Sequence, residues 1–82
     1  MSMDEAHELT ALHRAMVVAD KRKDDLCLAS VVAHMVAKES MKPEDIQAAL
    51  DADLAYHKAN AEADAVERAY RKAIREKASA NV

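Results

Sequence analysis

Glycine is absent from the 82-residue chain, proline occurs once, at Pro43, and there is neither phenylalanine nor tryptophan. Tight β-hairpins depend on glycine for positive φ, so an all-β or mixed fold is disfavoured from the outset. Glycine-rich phosphate cradles are excluded on the same ground. Cys27 is the only cysteine, which excludes a disulfide within the monomer. Large apolar side chains are also scarce. Apart from Met1, Met3, Met41 and Val82 they amount to Leu9, Leu12, Met16, Val17, Val18, Leu26, Leu28, Val31, Val32, Met35, Val36, Ile46, Leu50, Leu54, Val66 and Ile74, with Tyr56 and Tyr70 as the only large aromatics. Much of the 51% hydrophobic fraction is alanine, and each alanine removes little area from water at about 25 cal/mol per Å². A thin core in so short a chain calls for reinforcement, and with disulfides excluded self-association is the expected remedy.

What is present is a set of strong helix formers: alanine, leucine, methionine, lysine, arginine and glutamate. The fold expected is therefore all-α, a single domain built as an antiparallel helical hairpin or a three-helix arrangement around one long C-terminal helix. Twelve basic against fifteen acidic residues give a net charge of −3, which offers no global attraction for nucleic acid or for an anionic membrane. The longest apolar run, Leu26 to Ala37, is interrupted by Ser30 and His34 and falls short of the ~20 residues of a membrane helix. Residues 1–5 lack the basic and apolar regions of a signal peptide, so a cytoplasmic location with Cys27 reduced is the expectation.

Three segments follow from periodicity, at about 3–20, 24–39 and 43–77, with 78–82 as a frayed tail. In the first, Leu9, Leu12, Met16 and Ala19 recur at spacings of three and four, and Asp4, Glu5 and Glu8 complement the positive end of the helix dipole. The second is apolar on more than one side, the pattern of a buried helix. Between them, Lys21-Arg22-Lys23-Asp24-Asp25 has the charge order of a helix end followed by a helix start. No glycine, proline or asparagine enforces a break, so one continuous helix and two separate ones both stand. The third starts at Ser40-Met41-Lys42-Pro43-Glu44-Asp45, with proline at a first helical position and two acids behind it.

The long third segment carries the clearest regularity. Ala49, Ala52, Tyr56, Ala59, Ala63, Val66, Tyr70 and Ala73 alternate spacings of three and four, a heptad seam over three and a half repeats. Two readings of the seam stand: it closes a hairpin within the chain, or part of it meets a second copy or another protein. Ile46, Leu50 and Leu54 form a second face, so burial on two sides is expected at the start of this helix. Charge is split along it, acidic from Glu44 to Glu67 and basic from Arg68 to Lys77, which would suit antiparallel pairing of two copies as well as a solvated face.

Candidate chemistry is sparse. Asp53 with His57 and Asp4 with His7 have the spacing of ligand pairs, but each is a fragment of the three- or four-ligand set that a metal needs. His34, within the apolar segment, reads as a hydrogen-bonded core residue, and Cys27, between Leu26 and Leu28, as an inert buried thiol. No enzymatic activity, cofactor or metal is expected. The stretch Ser40–Leu50 has the spacing of a helix-turn-helix with Met41, Ile46 and Leu50 at its buried positions. It would, however, present Glu44, Asp45 and Gln47 to the groove, and acids there oppose binding driven by phosphate neutralisation. The preferred expectation is a protein-binding module, a small homodimeric regulator, inhibitor, adaptor or chaperone-like subunit, with a phage- or plasmid-type origin as one option. Its expected contacts are Tyr56, Val66 and Tyr70 on the seam, with Arg68, Arg71 and Arg75 as a charged margin, because tyrosine and arginine are enriched among residues that carry interface energy. A helix-turn-helix-like nucleic-acid-binding regulator is the alternative.

Overall fold

A computed structural model of the protein describes residues 3–80. Two helices of equal length account for nearly all of them, α1 at Met3–Ser40 and α2 at Pro43–Ala80. They pack side by side as an antiparallel hairpin measuring 60 × 16 × 13 Å, the length expected of a 38-residue helix at 1.5 Å per residue. Of the two arrangements expected, the hairpin is the one formed: the segments at 3–20 and 24–39 are one continuous helix, and since it is as long as α2 there is no three-helix arrangement around a single long C-terminal helix. Helix α2 also runs on through Ala78, Ser79 and Ala80, which the frayed tail was expected to include. Asn81 and Val82, also assigned to that tail, lie outside the described residues.

The reason α1 does not break at Lys23–Asp24 lies in its register. Its less exposed positions run Leu9, Leu12, Met16, Ala19, Lys23, Leu26, Ser30, Ala33 and Ala37. The alternation of three and four passes straight through the charged stretch, with the Lys23 stem on the seam. Dipole complementarity at a break would contribute about 0.3–1 kcal/mol. Ending one helix and starting another there would leave several backbone groups without intrahelical partners, at a net ~1 kcal/mol each. Continuity wins.

Helix α2 meets this line with Ala49, Ala52, Tyr56, Ala59, Ala63, Val66, Tyr70 and Ala73, the heptad seam of the sequence. The seam closes the hairpin within the chain. Among the described residues its buried apolar residues are all alanine, namely Ala37, Ala49, Ala59, Ala63 and Ala73, with Ser30 as the buried polar residue. Alanine lets two backbones approach closely, and the half-buried Tyr56 and Tyr70 fill the wider gaps. The open end is clasped by Lys77 Nζ donating to Glu8 Oε2 at 2.9 Å. Arg22 and Glu62 pair more loosely at 3.9 Å midway along.

At the closed end the chain reverses over Met41 and Lys42. Met41 takes the left-handed conformation, φ 56°, and its N–H donates to the Ala37 carbonyl at 2.9 Å, capping the last turn of α1. Pro43 then opens α2, with Asp45 and Ile46 N–H groups donating to the Lys42 carbonyl. Ser40 Oγ accepts from Lys42 N–H at 3.3 Å and donates to the Asp45 carboxylate.

Two predictions test this account. Ala63 is 2% exposed, so Ala63→Leu should overpack the seam and cost about 1–3 kcal/mol in urea unfolding; a neutral result would mean that the helices are not in close contact there. Met41 side-chain packing is slight, and a non-glycine residue in the left-handed region is strained by about 1 kcal/mol. Met41→Gly should therefore raise the melting temperature by roughly 4–8 °C in a domain of this size.

Candidate interaction surface

The contact residues expected from the sequence fall into two groups. Tyr56, Val66 and Tyr70 lie half-buried on the α2 seam, turned toward α1. The Tyr70 ring sits against His13, centroids 5.7 Å apart. These side chains are engaged inside the hairpin. Arg68, Arg71 and Arg75 lie outside on the same stretch of α2, exposed, and Arg71 is held by Glu67 one turn away at 2.8 Å. The structure does not gather the six into one patch.

The large apolar residues that the seam leaves out form a different surface. Met3, Val17, Val18 and Ile74 are exposed along the open-end half, but most gather at the closed end: Leu28, Val31, Val32, Met35 and Val36 on α1, Ile46, Leu50 and Leu54 on α2, and Met41 at the turn. All are exposed, Leu28 at 65%, Met35 at 60% and Leu54 at 68%. This overturns two expectations, that segment 24–39 is the buried helix and that the start of α2 is buried on two sides. A lone neighbour covers one stripe of a helix, and neither helix has a second neighbour among the described residues. Leu28, Val31, Val32 and Met35 recur at steps of three and four, so they form a second stripe on α1, turned away from α2. Ile46, Leu50 and Leu54, four apart, make a ridge on α2 at the same end of the hairpin. The result is an apolar belt around the closed-end half, while the open-end half carries most of the basic residues of α2.

A polar cluster is set into this belt. His34 Nε2 lies 2.9 Å from each oxygen of the Asp53 carboxylate, which requires an N–H at Nε2, since a carboxylate only accepts. Ser30, buried on the seam, donates its hydroxyl to the same carboxylate. The Ser30 and His34 hydrogen bonds stabilise the charged form and hold the Asp53 carboxyl below its ordinary value of 3.8. His34 is thus hydrogen-bonded as expected, but it is an exposed bridge between the helices and not a core residue. Asp53 uses His34 across the hairpin instead of His57 on its own helix, whose ring lies beside Tyr56. Cys27, expected to be buried, is exposed. Among the described residues no three His, Cys, Asp or Glu side chains converge as metal ligands, and no helix is long and apolar enough to cross a membrane.

The helix-turn-helix spacing at Ser40–Leu50 does not produce that motif. Helices joined in a helix-turn-helix cross at about 90–120°, whereas α1 and α2 run antiparallel in contact from the Glu8–Lys77 clasp to the turn. Met41, Ile46 and Leu50, which the motif would bury, are exposed. No protein-family model matches the chain, and no curated protein or solved structure matches it.

The Asp53 cluster gives a pH prediction. Because its folded value is lowered, its contribution to stability is complete above pH 3.8 and is lost as pH falls through the lower folded value. Thermal unfolding followed from about pH 5 to about pH 2 should show a steeper loss of stability for the wild type than for Asp53→Asn. Parallel profiles would mean that the carboxylate is not engaged.

Proposed function

We infer that the protein is a small non-enzymatic protein-binding module, a regulator, inhibitor, adaptor or chaperone-like subunit, and that it binds through the apolar belt of its closed end. One observation carries this reading. Leu28, Val31, Val32, Met35 and Val36 of α1 and Ile46, Leu50 and Leu54 of α2 stand exposed at the closed end, whereas the buried apolar residues are alanines. A concentration of exposed large apolar side chains is a usual mark of a protein contact. Leu28, Val31, Val32, Met35, Leu50 and Leu54 replace Tyr56, Val66 and Tyr70 as the contact set. The three tyrosine and valine positions are half-buried on the seam that closes the hairpin. The arginines Arg68, Arg71 and Arg75 sit at the opposite end and are left for solubility or a secondary contact.

The test is a pull-down from the native host with the tagged full chain and with a Leu28→Asp/Val32→Asp/Leu54→Asp variant. The three side chains are exposed in the hairpin, so far-UV circular dichroism should report an unchanged helix content. Every protein retained by the wild type, untagged copies of the chain included, should be lost from the variant. Retention of the same set by both would end the reading.

A further inference from the structure

We propose that the occupant of the α1 stripe of the apolar belt is a second copy of this chain, docked antiparallel with α1 against α1 over the closed-end halves so that the two open ends point apart. The proposal rests on the reading of the belt as a protein-binding surface and names its partner. Two observations carry it.

The first is area. The isolated hairpin exposes 6179 Å², whereas a compact monomer of its 9.0 kDa exposes about 4,850 Å². The excess, about 1,300 Å², exceeds the ~800 Å² per partner that a stable protein interface covers. The second is the shape of the α1 stripe. Leu28, Val31, Val32 and Met35 read alike in both directions: two β-branched residues in the middle and a longer, unbranched-at-Cβ side chain at each end. A two-fold interface needs such a self-complementary patch, because each residue must meet the partner's copy of the same surface. An axis passing near Val31 and Val32 sets each Leu28 beside the partner's Met35.

Sedimentation equilibrium or light scattering of the purified full chain over a concentration series tests this. The expected mass is about twice 9.0 kDa, and Val31→Asp/Met35→Asp should give the monomer mass at concentrations where the wild type is dimeric. Should that variant also lose helix content, Leu28→Ser, a single change at a position 65% exposed in the hairpin, supplies an independent reading. It should weaken dimerisation roughly 10-fold or more, because each copy loses a buried leucine from the contact. A wild type that stays monomeric throughout overturns the proposal. So does a dimer indifferent to all these changes, or one that dissociates only when Tyr56 and Tyr70 are replaced. A monomer whose belt still governs capture in the pull-down would leave the protein-binding reading standing with a foreign partner.

Discussion

Close approach of two helices along a line of alanines is the constraint on which the rest of this structure depends. Ala49, Ala59, Ala63 and Ala73 on α2 are the buried residues against which α1 lies. Small side chains bring backbones together and gain dispersion contacts, but they withdraw little apolar area from water. The seam consequently has room for few of the larger apolar residues. Leu9, Leu12, Met16 and Leu26 are half-buried along it. Leu28, Val31, Val32, Met35 and Val36 are left outside. The exposed belt is thus the other side of the alanine seam, and an account of one is an account of both.

Much of this was legible in the sequence. The absence of glycine and the abundance of helix formers led to an all-helical chain, Pro43 marked the start of α2, and the α2 heptads named the seam residue by residue. The same alternation through Lys23, Leu26, Ser30, Ala33 and Ala37 was also there to be read. Lysine and serine at two of its positions mask it, and the apolar Val31, Val32 and Val36 beside it lie off the seam. Hydrophobicity alone misplaces segment 24–39, because it reports what a residue would gain by burial and not whether the fold supplies a neighbour. The belt was missed for that reason. The signal that finds it is the combination of a continuous seam with apolar residues off the seam.

The turn illustrates a second limit. A chain without glycine has no obvious residue for a left-handed cap, and yet Met41 occupies one. Local strain of about 1 kcal/mol is tolerated because the Met41–Ala37 hydrogen bond and the Ser40–Asp45 contact close the last turn of α1 and the first of α2. The His34–Asp53–Ser30 cluster works on the same principle. No local spacing pairs residues 19 and 23 positions apart; only the antiparallel register does, and it sets a polar anchor in a surface that is otherwise apolar.

The unbroken alternation of three and four through both helices also limits how such a chain can change length. An extra residue within either helix would turn everything beyond it by about 100° and carry the alanine line off its neighbour. Removing one heptad from α1 together with its facing heptad from α2 would leave the remaining pairs in step. Shortening or lengthening of this hairpin is therefore quantised in matched sevens, like a zip that accepts only whole pairs of teeth.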